Sequence, residues 1–203
     1  MKLYSFSGSC GLATNIVLEW IGQPFDVQLI EKKELSSPAY LAKNPNGQVP
    51  LLEDGDFILT QNAAIMGYLC DKSPEAKLCG EGDLQQRARI HQWLSFINSD
   101  VHPAFKPLFG ATAYLQDSAM IARSQDDARQ RLTTLFGRIN EQLAGKEYLV
   151  GSRSIADAYL FVVARWAKSL NIDLSALEHI TAFMQRMQAD SAVQKALATQ
   201  KLS

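Results

Sequence analysis

The stretch Asn44-Pro45-Asn46-Gly47-Gln48-Val49-Pro50-Leu51-Leu52 decides how the rest of the chain is read. Proline fixes φ, and asparagine and glycine tolerate positive φ, so residues 44–47 read as a turn. The turn runs into an apolar strand, Val49 to Leu52, whose second residue is a proline. Proline cannot donate to a β ladder, so Pro50 belongs on an edge, at a strand start or in a cis bond. Each option leaves the Val49 carbonyl and amide able to bond something beyond the sheet. That is a backbone socket for an extended peptide, recognised by strand addition. The plainer alternative is an ordinary turn before an edge strand.

Upstream, Leu3 to Phe6 reads as a short strand closed by Ser7-Gly8-Ser9. From Gly11 the pattern is helical, with Leu12, Ile16, Val17, Trp20 and Ile21 on one face and Gly22 as the stop. Phe25 to Ile30 reads as a second strand, and Ser37 to Lys43 as a short helix with Pro38 in its first turn. Downstream, Val49 to Glu53 and Phe57 to Leu59 form a hairpin across Asp54-Gly55. Gln61 then opens a helix burying Ile65, Met66, Leu69 and Cys70. This β-α-β-α-β-β-α order predicts a small α/β layer with a mixed sheet. Cys10 precedes the first helix or sits in its first turn, where free amides and the helix dipole favour a thiolate. A small buried apolar residue is the other reading of that cysteine.

The segment from Lys72 to Gly82 holds Pro74, Gly80 and Gly82 and has no periodicity, which marks a domain boundary. The expected division is 1–75, a linker over 76–82, and an all-helical 83–203. Asp83 is a good N-cap for a helix carrying Ile90, Trp93, Leu94, Ile97 and Val101, interrupted at Pro103 and Pro107. Around that break lie His102, Phe105, Phe109 and Tyr114, which either line an apolar pocket or form core. Ala128 to Leu143 is the next helix. Ser154-Ile155-Ala156-Asp157 is a capping box with Asp in place of Glu, opening a helix from Ile155 to Leu170 that is apolar on nearly every side. Leu174–Met187 and Ala192–Leu197 supply closing helices.

The chain has 203 residues, 47% of them hydrophobic, and a net charge of −1, with no block of like charges to suggest a nucleic-acid or membrane partner. Its opening residues carry no leader pattern, and its longest apolar run is too short to span a bilayer. Three cysteines, Cys10, Cys70 and Cys79, make no disulfide framework, and no Cys/His cluster has metal-ligand spacing. Cys70 and Cys79 read as structural or incidental. The expected compartment is the cytoplasm, where thiols stay reduced.

These features together resemble the cytosolic glutathione transferases, and more narrowly the bacterial beta class. The resemblance rests on Lys2-Leu3-Tyr4…Gly8-Ser9-Cys10-Gly11-Leu12-Ala13, on residues 44–50, on Leu59-Thr60-Gln61-Asn62-Ala63-Ala64-Ile65, and on Ser154-Ile155-Ala156-Asp157-Ala158-Tyr159-Leu160-Phe161. It covers essentially the whole chain. It implies a thioredoxin-like α/β N-terminal domain followed by an all-α helical bundle, with glutathione as co-substrate and no metal.

The resemblance further implies that Val49 bonds the cysteinyl backbone of glutathione across a cis Val49–Pro50 bond. The γ-glutamyl carboxylate falls at Gln61 and Asn62, where a helix N-terminus suits an anion. Relatives often carry a small residue, commonly Ser, where Asn62 stands. The glycyl end falls to Lys33, with Lys32 as the alternative. Cys10 and His102 flank the sulfur, Ser95 and Ser99 line that face, and Pro103 replaces a lysine common in relatives. The electrophile rests near Phe105, Phe109, Tyr114 and Trp166. Tyr4 alternates within a strand and reads as core, and His91 and His179 match no family role.

The implied reaction is attack by glutathione thiolate on a small hydrophobic electrophile. A thiol of pKa about 8.5 is only about 3% ionised at pH 7. Lowering that value by about two units takes roughly 2.7 kcal/mol. The first helix, a donor such as the Cys10 S–H, and protonated His102 are the expected sources. The alternatives are thiol–disulfide, peroxide or isomerase chemistry through Cys10, and a non-catalytic binding protein of the same fold. A homodimer is the family expectation.

Overall fold

The computed structural model describes residues 1–80 and 82–202. It divides into two compact units, Met1–Arg87 together with the stretch from Met187 onward, and Ala88–Arg186.

In the first unit, β1 (Lys2–Ser5), α1 (Gly11–Ile21) and β2 (Asp26–Leu29) form a parallel crossover. α2 (Pro38–Leu41) is capped by the Ser37 hydroxyl, which accepts from the Tyr40 amide. β3 (Leu51–Asp54) and β4 (Phe57–Thr60) make the hairpin, and α3 (Asn62–Lys72) follows. The strand order is β2-β1-β3-β4, with β1 antiparallel to β3. Leu3, Leu51 and Leu52 from the central strands are fully buried, as are Leu12, Ile16 and Val17 of α1. Gly22 ends α1 in the left-handed region (φ 74°), a conformation glycine adopts without a Cβ penalty.

α1 is buried more widely than one face: Thr14, Asn15 and Leu18 are also enclosed. Two helices enclose it: α3, whose Asn62 accepts from Thr14, and α9 (Ser191–Thr199), which packs along α1 and buries Val193, Ala196 and Leu197. Trp20 Nε1 donates to both Asp190 carboxylate oxygens at 3.3 Å, and Ser7 Oγ donates to the Gln200 carbonyl at 2.7 Å. The sequence pattern identifies this helix and its apolar face, but not that the face meets α1.

One expectation is overturned. Cys70 and Cys79 are joined in a disulfide, with Cα atoms 6.0 Å apart. A tight 3₁₀ turn over Pro74–Ala76 and a left-handed Lys77 fold the connector back onto the last turn of α3. Spacing alone does not reveal such a reversal.

Asp83 caps α4 (Leu84–Phe96) through the Gln85 and Gln86 amides. A π-helical turn, Ile97–Val101, then leads into the short α5 (His102–Ala104). Pro103 therefore does not break the helical path. The wider turn absorbs the backbone bond that proline cannot make. α6 spans Ser118–Leu143, ten residues longer at its start than the apolar pattern predicts. Its true cap is Asp117, which accepts from the Met120 amide at 3.0 Å, and no residue of the helix before Ala128 is buried. α7 (Ile155–Ser169) is buried along almost its whole length, and α8 (Glu178–Ala189) follows. No described helix is long and apolar enough to cross a membrane.

Candidate active site

The turn at residues 44–47 is held from several sides. The Gly47 amide donates to the Asn44 carbonyl (2.9 Å), and the Asn46 amide to Asn44 Oδ1 (3.1 Å). Asn44 Nδ2 and the Tyr40 hydroxyl both donate to the Gln48 carbonyl at 2.7 Å. The carbonyl of Gln48 is thereby fixed, and Val49 is delivered next to it. The β1–β3 ladder ends at Tyr4 opposite Leu51, so Val49 stands outside the sheet, and the Val49–Pro50 bond is cis. The Val49 carbonyl is not free as expected, because the Cys10 thiol donates to it at 3.6 Å.

Gly47 has φ 58°, and a Cβ there would lie 3.0 Å from the Leu35 carbonyl oxygen. Gly47→Ala should cost about 1–2 kcal/mol from the left-handed backbone alone. Denaturant unfolding measures that loss, and glutathione titration should show weaker binding as Val49 shifts.

Cys10 occupies the N-cap of α1. The amides of Cys10 and Gly11 pull its pKa down, as the helix-terminus argument requires. Burial outweighs them and pushes the thiol up to about 12. The expectation of a Cys10 thiolate is therefore corrected: at neutral pH this residue is a protonated thiol and a hydrogen-bond donor.

At α3, Gln61 takes the N-cap with φ 72° and ψ 115°, outside the comfortable region for a side-chain-bearing residue. Strain of this kind is stored where surrounding structure enforces it, commonly at ligand sites. Asn62 is buried, and both ends of its side-chain amide are bonded. Thr14 Oγ1 donates to Asn62 Oδ1 at 2.6 Å, and Asn62 Nδ2 donates to the Cys10 carbonyl at 3.1 Å. The departure from a small residue is thus a brace between α3 and the Cys10 loop. The side chain is committed internally, while the first-turn amides of α3 have no intrahelical partner. Lys33 lies on the exposed 3₁₀ turn Lys32–Ser36 and pairs with Glu31 at 2.7 Å. Leu35 of that turn and Val49 pack on one small core of Tyr4, Ile30, Tyr40 and Leu51. Tyr4 is core as expected, its hydroxyl donating to Glu53 at 2.8 Å.

The second unit gathers His102, Phe105, Phe109 and Trp166 into one aromatic cluster. The His102 and Trp166 ring centroids are 4.8 Å apart, Phe105 and Phe109 stack at 5.9 Å, and Trp166 meets both phenylalanines edge-on at 5.5 and 5.3 Å. Phe105 is fully buried whereas Phe109 is exposed, so the cluster runs from core to surface. Tyr114 is 77% exposed and makes none of these ring contacts. Ser95 and Ser99 are exposed on the α4 and π-turn surface.

His102 is not the expected imidazolium. Burial, and then the positive charge of Lys106, lower its pKa to about 4. Its Nδ1 lies 2.5 Å from the Tyr159 hydroxyl, which is itself 3.4 Å from Asn98 Oδ1. The phenol has one proton for these two neighbours, so the direction of the His102–Tyr159 bond follows the tautomer of the neutral ring. The sequence reading missed Asn98, Lys106 and Tyr159 in this network. The spacing of four between Asn98 and His102, and again between His102 and Lys106, was the available signal.

Comparison with known proteins fits this geometry. Residues 1–71 match the glutathione S-transferase N-terminal domain and residues 101–190 the C-terminal domain. The chain is 48% identical to glutathione S-transferase GST-4.5 of Xanthomonas campestris over the full length of both. A glutathione S-transferase from Xylella fastidiosa superposes with a TM-score of 0.97 at 50% identity, covering 100% of this chain and 99% of that one. The beta-class enzyme of Sphingomonas chungbukensis (TM-score 0.89) and a sphingomonad enzyme solved with glutathione (0.88) are each 32% identical, over all of both chains. With the cis-proline socket, the braced helix N-terminus and the histidine–aromatic cluster, these likenesses show that the chain belongs to the glutathione S-transferase family, enzymes that transfer glutathione.

Proposed function

We propose that this chain transfers glutathione to small hydrophobic electrophiles, and that the observation carrying the mechanism is the protonated Cys10 thiol donating beside the Val49 socket. Val49 bonds the cysteinyl backbone of glutathione. The amides of Gln61 and Asn62 receive the γ-glutamyl carboxylate, and Lys33 or Lys32 meets the glycyl end. The Cys10 S–H turns from the Val49 carbonyl to the glutathione sulfur and stabilises it as a thiolate. The α1 terminus adds up to about 2 kcal/mol of the roughly 2.7 kcal/mol needed. Neutral His102 contributes a polar ring and no charge, with Ser95 and Ser99 as polar neighbours. Phe109, Phe105 and Trp166 offer the apolar face for the electrophile, and Tyr114 extends it only if it folds inward.

A Cys10-centred redox reaction is disfavoured, because a thiol held near pKa 12 is a poor nucleophile at neutral pH. The division into 1–75, 76–82 and 83–203, a cytoplasmic site of action and a homodimer complete the proposal. Exposed Phe57 and Ile58 on the edge strand β4 support the homodimer. A monomer by light scattering would remove that last element.

The test is glutathione-dependent consumption of an activated aryl halide by wild type and Cys10→Ala. Loss of one donor to a charged sulfur should lower kcat/KM about tenfold without abolishing it. Cys10 should also resist alkylation at pH 7. No turnover in either protein, with glutathione leaving the melting temperature unchanged, would refute the enzyme reading.

A further inference from the structure

The Cys70–Cys79 pair lies apart from the site described above. Cys70 is on the last turn of α3, nine residues from Gln61, which at 1.5 Å per residue is about 13 Å along the helix. The pair opens on a cavity of about 460 Å³ lined also by Pro74, Lys77, Leu78 and Arg87. Two features fix the geometry. Arg87 is held by Asp71 at 2.7 Å. Gly80, at φ 85°, packs so closely on the start of α4 that a Cβ would lie 2.8 Å from the Arg87 amide nitrogen. The connector therefore presents Cys79 to Cys70 in one arrangement. The two sulfurs differ in access: Cys70 is 6% exposed, whereas Cys79 is half-buried. Ser73, on the turn after Cys70, keeps a buried hydroxyl with no hydrogen-bond partner among the described residues.

We propose that Cys70 and Cys79 form a second thiol site, a dithiol–disulfide couple that exchanges with glutathione disulfide and glutathione. In the oxidising direction the Cys79 thiolate attacks one sulfur of glutathione disulfide. A Cys79–glutathione bond forms, and the first glutathione leaves as its thiolate. Cys70 then attacks the Cys79 sulfur, closing the protein disulfide and expelling the second glutathione. Two electrons pass from the protein dithiol to glutathione disulfide, and the two protein protons go to the two departing thiolates. Excess glutathione runs the same steps backward. Cys79 is the entry sulfur because it can be reached, and Cys70 the resolving one because it cannot. This goes beyond the conjugation reaction and uses none of its residues.

The test equilibrates the wild-type protein in glutathione buffers of graded glutathione-to-disulfide ratio. Acid quench, N-ethylmaleimide and peptide mapping then read positions 70 and 79. The expected result is a shift from both positions alkylated to both bonded, with its midpoint inside the buffered range. In Cys70→Ser, glutathione should accumulate on Cys79 at least about tenfold faster than on Cys70 in Cys79→Ser, since exchange follows access of the attacking thiol. A pair that stays alkylated at every ratio, or stays oxidised under excess glutathione, would overturn the proposal. So would equal labelling of the two single variants. Should the variants fail to fold, the wild-type titration alone decides. Aryl-halide turnover, measured in parallel, reports separately on the conjugation site.

Discussion

Asp157→Ala is expected to destabilise the protein by about 4 kcal/mol, since it strands three enclosed donors at roughly 1–3 kcal/mol each. Asp157 is fully buried at the start of α7. Its Oδ1 accepts from the Leu149 amide at 2.9 Å, and its Oδ2 accepts from the Ser154 amide at 2.8 Å and the Ser154 hydroxyl at 2.7 Å. Alanine leaves all three donors enclosed without an acceptor, and the unpaired groups, more than the lost contacts, set the cost. Asp157→Asn would not rescue, because the new NH₂ would face donors at one of the two oxygen positions. Ser154→Ala should cost only about 1 kcal/mol, the ordinary value of an N-cap. Urea unfolding with an unchanged m-value is the measurement. A loss for Asp157→Ala no larger than for Ser154→Ala would show that the carboxylate does not anchor the helix. α7 is almost entirely apolar and cannot define its own start by amphipathic contrast, which is why a strong local signal matters here.

A second large effect should appear in the pH dependence of stability. Folded His102 takes up a proton only near pH 4, against 6.5 for the ordinary side chain. Between those values the unfolded chain binds the extra proton, so stability rises with pH through that window and is lost as pH falls towards 4. The gap is worth about 3 kcal/mol. Asp157 acts oppositely. Burial lifts its carboxyl from 3.8 to about 6 against the pull of the Leu149 and Ser154 donors. There the folded state binds the extra proton, and stability falls as pH rises from about 4 to 6. The two contributions largely cancel in the wild type. In His102→Gln only the Asp157 slope remains, so the stability difference from wild type should grow by about 3 kcal/mol between pH 4 and 7. Parallel stability curves for the two proteins would contradict the buried, neutral histidine.

That neutrality changes the chemistry. An imidazolium stabilises a thiolate by charge, whereas neutral His102 brings none. The sequence pointed to the residue and to the wrong protonation state, because the state depends on Trp166, Tyr159 and Lys106 closing around the ring. Cys10 repeats the lesson. Its place before a helix was legible, and the amides there do favour a thiolate, but burial reverses the balance. Asn62 stands where relatives often carry a small residue, and its side chain braces Thr14 and the Cys10 carbonyl.

What the sequence by itself determined is local: the Asn44–Gly47 turn, the proline that ends the ladder at Val49, the hairpin, the Ser154–Asp157 box and the apolar faces of the helices. Each rests on φ preference, a missing amide or a periodicity contained within a few residues. Tertiary structure decided everything that depends on a distant neighbour. It set α9 against α1, brought Cys79 back onto Cys70, carried the chain through Pro103 on a π-helical turn, and fixed the charge states of Cys10 and His102. Burial and pairing are properties of the surroundings of a residue, and those surroundings do not exist until the chain has closed on itself.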